Sequence, residues 1–125
     1  MELKYKEHYE NQCGDGWYEL LDQAFEKILY IITPEQIEHT FIKEKFGGLR
    51  FSFWYKNEYM PDTIIQDIIF DIQDIVEDRS FHICEFCGDK RTAKLRNDLG
   101  WKKTLCDSCH EKKKADVNYW GPEEN

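Results

Sequence analysis

From Trp17 onward, apolar residues recur at intervals of three and four: Trp17, Leu20, Leu21, Ala24, Phe25, Ile28, Leu29 and Ile32. That period predicts an amphipathic helix. Asp15 stands where an N-cap belongs. Pro34 ends the helix, because the residue before a proline is pushed out of the helical region. The pattern then changes. Ile37 to Phe46 alternates imperfectly, Gly47-Gly48 follows, and Leu49 to Tyr55 alternates strongly. Two such runs about Gly-Gly predict a β-hairpin. Leu49, Phe51, Phe53 and Tyr55 share one face; Arg50, Ser52 and Trp54 share the other. Beyond Pro61 the helical period returns in Ile65, Ile68, Ile69, Ile72, Ile75 and Val76. Thr63 with Gln66 suits a capping box at its start. Asp67, Asp71, Asp74, Glu77 and Asp78 mark its polar side.

Helix, hairpin and helix predict an α+β body over residues 1–80, with two amphipathic helices packed on one face of a small antiparallel sheet. Two strands alone are marginal in water, so the helices, further strands or a partner must complete the sheet. A second copy of the chain is one such partner, which would make a homodimer. Residues 1–15 are polar and are expected to be loosely ordered.

The C-terminal third carries different chemistry. Cys84, Cys87, Cys106 and Cys109 stand as C-x2-C-x18-C-x2-C. Two thiolates two residues apart can hold one Zn²⁺ from a tight turn, and a second pair brought back by a hairpin closes the tetrahedron. A segment of about 40 residues cannot bury enough surface to fold unaided. The spacing therefore predicts one structural zinc ion and a four-cysteine zinc module over 81–120, with a tail at 121–125. Gly88 supplies the turn after the first pair. Thr92 to Arg96 and Gly100 to Leu105 predict two short strands joined at Asn97-Asp98. The second pair opens a helix-compatible run that reaches Gly121-Pro122. A treble-clef finger and a zinc ribbon both fit this order. His110, next to Cys109, is an alternative ligand, but using it would orphan a cysteine.

Charge divides the chain in the same place. The net charge is -8. Residues 1–80 carry 8 basic and 17 acidic side chains, residues 81–114 carry 9 and 5, and residues 115–125 carry three acids. Such acidity argues against wholesale nucleic-acid binding. Within the basic module, Lys94, Arg96, Lys102 and Lys103 are nonetheless candidate phosphate contacts, and Trp101 is a candidate stacking surface. Lys90, Arg91 and Lys112 to Lys114 add to the positive charge. Arg50 and Trp54 are candidate contacts on the hairpin. The acidic helix would suit a basic partner.

Several classes are disfavoured. No apolar run reaches the ~18–20 residues of a membrane span, and the first ten residues lack the apolar core of a secretory signal. An odd cysteine count with four in metal spacing favours a reducing interior, so a cytoplasmic location is expected. No His lies between Cys87 and Cys106, as an HNH nuclease on a treble clef would need. The deaminase pairing of H-x-E with P-C-x-x-C is missing. Gly47-Gly48 lacks the GK[ST] of a phosphate loop. Cys13 has no His or Asn pattern that would make it a nucleophile, and His8, His39 and His82 are scattered.

Four segments together resemble a known group: Gly16-Trp17-Tyr18-Glu19-Leu20-Leu21, Lys43-Glu44-Lys45-Phe46-Gly47-Gly48-Leu49-Arg50-Phe51, Cys84-Glu85-Phe86-Cys87-Gly88 and Gly100-Trp101-Lys102-Lys103-Thr104-Leu105-Cys106. They are similar to a largely uncharacterised family of small zinc-finger proteins of phages and prophages, with a KEKFGGLRF-like hairpin ahead of a C-terminal CxxC…CxxC module. The likeness spans about residues 16–110. Some members end the second pair with His where this chain has Cys109. The family supplies no catalytic residues. It implies a phage context, in which a small acidic protein works by binding a host macromolecule. The resulting expectation is a non-enzymatic binding protein that modulates or inhibits a host protein, such as a defence or nucleic-acid-handling protein. A nucleic-acid-binding zinc finger is the alternative, and a metal-dependent nuclease a remote one.

Overall fold

A computed structural model describes residues 2–115. It has an α+β architecture of three helices and two small antiparallel sheets. Helix α1 (Tyr18–Ile31) is followed by strands β1 (Ile37–Lys45) and β2 (Gly48–Tyr55) and helix α2 (Thr63–Ser80). Strands β3 (Lys94–Arg96) and β4 (Lys103–Leu105) and helix α3 (Asp107–Ala115) complete the order. The continuation of α3 toward Gly121-Pro122 lies outside the described residues.

Helix α1 buries the stripe its spacing predicted, with Leu21, Phe25 and Ile28 fully enclosed. Phe25 packs on the inner face of the hairpin, 6.0 Å from Phe51 and 5.9 Å from Phe53 between ring centroids. Asp15 is not its N-cap. A single 3-10 turn over Asp15–Trp17 leads into the helix, and no side chain caps that end. Thr33, before Pro34, is extended as expected, and Pro34 opens a short 3-10 turn two residues beyond the helix C-cap, Ile32.

Residues 2–15 are more engaged than their polarity suggested. Tyr9 is fully buried. Its hydroxyl and the Tyr5 amide both donate to the buried carboxylate of Asp22, each at 2.8 Å. One acid inside α1 thus holds the N-terminal segment in place.

The hairpin pairs Lys45 with Gly48, so its two-residue loop is Phe46-Gly47 and not Gly47-Gly48. Both loop residues have positive φ, 54° and 88°, as a type I′ turn requires. Gly48 is needed for another reason: a Cβ there would lie 2.5 Å from the Phe81 ring. The pairing shifts between Ile37 and His39, which leaves Glu38 in a bulge. Inward residues Leu49, Phe51 and Phe53 are buried, while Arg50 and Trp54 face out.

Helix α2 runs along β2. The Leu49 amide donates to Ser80 Oγ at 2.8 Å, and Arg50 pairs with Glu77 at 3.0 Å. Its cap is Asp62, whose carboxylate accepts from the Ile65 amide at 2.9 Å. Gln66 instead bonds the Pro61 carbonyl. The predicted isoleucine stripe is only half covered. Ile69 and Val76 are buried, but Ile68 remains 43% and Ile75 49% exposed, and the neighbouring Ile64 is 70% exposed.

Candidate metal centre

The local chain explains where each sulfur lies. Cys84 and Cys87 flank a turn closed by the Gly88 amide on the Cys84 carbonyl at 2.9 Å, and Gly88 has φ of 82°. Lys94↔Leu105, Leu95↔Thr104 and Arg96↔Lys103 form the β3–β4 hairpin, shorter at both ends than predicted. It returns the chain to Cys106, just before α3, and Cys109 lies in the first turn of that helix.

All four Sγ atoms lie within 4.8 Å of one another. The Cys87 and Cys106 sulfurs are 3.5 Å apart, far beyond a disulfide bond. A metal bound tetrahedrally by sulfur at about 2.3 Å implies S···S edges of about 3.8 Å. The donor set and its spacing therefore fit one tetrahedral thiolate-bound ion. Among the described residues no other group of His, Cys, Asp or Glu gathers in this way.

Backbone amides prepare the cluster for charge. The Cys109 amide points at Cys106 Sγ at 3.4 Å. Burial works against ionising Cys84, yet amides of Cys106, Cys87 and Phe86 outweigh it and bring its thiol below the ordinary value. Cys87 and Cys109 go the other way, raised by burial and by the neighbouring sulfurs. Four thiols cannot share so small a volume as thiolates without a cation; a dication displaces their protons.

His110 lies outside the sulfur cluster. Its Nε2 is 3.0 Å from Asp98 and its Nδ1 is 3.5 Å from Arg96. Arg96 also donates to Asp107 at 2.7 Å and to the Leu105 carbonyl at 3.1 Å. It bridges β3, β4 and α3. Lys103 is likewise enclosed, its side chain 11% exposed, with Nζ 3.1 Å from Glu44 and 3.9 Å from Glu85. These two cations are committed to the fold. Lys94 and Lys102 remain exposed, and Trp101 packs against the cysteine cluster. Arg50 is held by Glu77, and Trp54 stands free of the module on the outer face of the hairpin.

The segments that stood out in the sequence meet at one junction between body and cysteine module. Trp17 Nε1 donates to the Ile83 carbonyl at 2.9 Å, and the Gly16 amide donates to the Glu85 carbonyl at 2.7 Å. Gly14 and Gly16 lie so close to Cys84 and Glu85 that a Cβ at either would collide with backbone. Thr104 Oγ1 donates to the Gly47 carbonyl at 2.6 Å, and Glu44 accepts from both Gly47 and Lys103. The KEKFGGLRF run is thus a socket for the cysteine module. Sequence reasoning assigned Glu44, Glu85, Thr104 and Phe81 no role. Only their partners, 33 to 71 positions away, reveal it.

The remaining candidates have ordinary settings. Cys13 donates to the Gly14 carbonyl at 3.6 Å, and burial, with Glu85 and Asp15 nearby, pushes its thiol up to about 12. His8 stacks on Phe25 at 5.2 Å. His82 lines a cavity beside Cys87 with Asp15, Glu19, Arg79 and Lys90. No helix among the described residues is long and apolar enough to cross a membrane. No protein-family model, no curated protein and no solved structure matches this chain, so its likeness to the phage-type group rests on the motifs alone.

Proposed function

We propose that this is a non-enzymatic binding protein, stabilised by one Zn²⁺ on Cys84, Cys87, Cys106 and Cys109, that acts on a protein partner. Four thiolates favour zinc over harder cations, and a complete thiolate set leaves no coordination position for a reacting water. A knuckle, a hairpin and a ligand pair at a helix start suit a treble-clef finger better than a ribbon, in which no helix carries ligands. The phage-type motifs make a bacterial host protein the natural partner, met in the cytoplasm, where thiolate sites persist.

The observation that carries this reading is the uncovered arc of α2. Ile64, Ile68 and Ile75 are exposed along one line, and Ile72 beside them is partly covered. The arc opens onto a groove lined by Ala24, Lys27, Ile72, Ile75 and Arg79. Asp67, Asp71, Asp74 and Asp78 recur at spacings of four and three along its edge. Contiguous apolar surface bordered by carboxylates suits a partner with an apolar and basic face. A nucleic-acid reading through β3 and β4 is weaker, since Arg96 and Lys103 are spent on internal pairs.

Affinity capture from bacterial lysate tests the reading. The wild-type chain should retain a specific protein that an Ile68→Glu, Ile75→Glu variant of equal zinc content loses. Equal recovery by both, or recovery of nothing specific, would reject it.

A further inference from the structure

The outer face of the β1–β2 hairpin has a composition unlike the rest of the body. Residues 1–80 hold 8 cations against 17 anions. Three of those cations, Lys43, Lys45 and Arg50, stand on this one face next to a group of rings. Lys43 is directly opposite Arg50 in the register, His39 is opposite Trp54, and Phe41 is opposite Ser52. The face is therefore aromatic toward the strand ends and basic toward the turn.

The rings touch one another and are uncovered. Trp54 is 62% exposed and Phe41 44% exposed. Phe41 lies 5.4 Å from Trp54 and 5.9 Å from His39 between centroids. Glu77 of α2 reaches the face at Arg50 and the Phe81 ring lies against Gly48 near the turn, but the rings toward the strand ends stay exposed. Exposed aromatics on a two-stranded ribbon are costly to keep in water and have no part in the core. Alternate residues of a strand are about 7 Å apart. Rings and cations at that interval can follow successive bases and phosphates of an extended strand. Glu77 opposes this charge by holding Arg50 at 3.0 Å, which leaves Lys43 and Lys45 as the principal cations.

We propose that this outer hairpin face, with Trp54, Phe41 and His39 as the stacking platform and Lys43 and Lys45 as phosphate contacts, binds single-stranded nucleic acid. A flat apolar ring surface beside positive charge matches a ligand that carries both a π-face and a negative backbone. Duplex is excluded by the same geometry, because its bases are stacked inside and offer no free face. Its aromatic end lies at the strand ends, opposite the turn where the KEKFGGLRF run docks the cysteine module.

The test uses the zinc-loaded chain with fluorescein-labelled fifteen-residue oligomers of deoxythymidine and of uridine, read by anisotropy and by quenching of tryptophan emission. Saturable binding to at least one oligomer is expected; the stronger of the two identifies DNA or RNA as the source. Trp54→Ala should weaken it about 5- to 150-fold, the loss of one base stack. Lys43→Glu with Lys45→Glu should weaken it and flatten the salt dependence. For two to three phosphates, the wild-type affinity should fall about 10- to 40-fold from about 50 to about 300 mM NaCl. All these side chains are exposed, and zinc content with circular dichroism confirms that the variants fold. The proposal is overturned by no binding at low salt, by equal binding of duplex or of base-free heparin, by full affinity in Trp54→Ala and Phe41→Ala, or by loss that follows Lys94→Glu and Lys102→Glu instead.

Discussion

Trp17 donates its indole N–H to the carbonyl of Ile83, 66 positions away and one residue before the first cysteine. The ring is fully buried, so the bond joins α1 to the metal module through the body's core. Trp17→Phe should cost about 1–3 kcal/mol by leaving the Ile83 carbonyl unpaired. Trp17→Ala should cost about 3–5 kcal/mol. Both follow from urea denaturation of the zinc-loaded protein. An unchanged midpoint for Trp17→Phe would mean the bond contributes nothing.

Adjacent lysines should behave differently. Lys103 lies between two carboxylates in an enclosed site, and Lys103→Met strands the charges of Glu44 and Glu85. Its loss should cost about 3 kcal/mol or more. Lys102→Met, on the surface, should stay within about 0.5 kcal/mol. Comparable stabilities for the two variants would contradict the assignment of Lys103 to the junction.

At the hairpin, Gly48→Ala forces a methyl group into the Phe81 ring. A loss of about 1–3 kcal/mol is expected. Phe81→Leu in the same chain should recover part of it, because the smaller side chain vacates the space. A double-mutant cycle by thermal denaturation measures that coupling, and additive losses would place the strain elsewhere.

Cys84→Ser should abolish binding of one zinc per chain, whereas Cys13→Ser should leave it intact. Metal removal by a strong chelator should withdraw on the order of 10 kcal/mol from the module. The expected signature is loss of far-UV signal from α3 and a changed environment for Trp101. Retention of a full zinc complement in Cys84→Ser would refute the ligand set.

Burial raises the Cys13 thiol to about 12, so the fold favours its neutral form. That stabilisation is complete below about pH 9 and is lost as the pH rises through about 12. Stability should decline along this alkaline limb, and Cys13→Ala should flatten the decline. The pH dependence of the denaturation midpoint supplies the check.

Sequence periodicity carried the backbone well and the contacts poorly. The α1 stripe, the two faces of β2 and the cysteine spacing are local patterns, and each reappears in three dimensions. The loop of the hairpin was misread by one residue because two glycines in a row offer two ways to turn. Of the two glycines Gly47 alone has positive φ, which it shares with Phe46, whereas Gly48 is demanded by Phe81, 33 positions later. The caps failed similarly: Asp62 outcompetes Thr63 for α2, and the start of α1 is set by a 3-10 turn. Lys103 and Arg96 looked like a basic surface because composition records charge without recording the carboxylates that fold onto it.

The bonds from Gly47 to Thr104 and from Trp17 to Ile83 also constrain the order of events on the ribosome. A nascent chain emerging N-terminus first can form α1 and the hairpin early, since those are local. It cannot close the slot around Trp17 until Ile83 has emerged, nor satisfy the hairpin turn until Thr104 has followed. Cys106 comes two residues later, so the last polar partner of the body and the third metal ligand leave the exit tunnel almost together. Completion of the body and capture of zinc are thereby timed to nearly the same moment of synthesis.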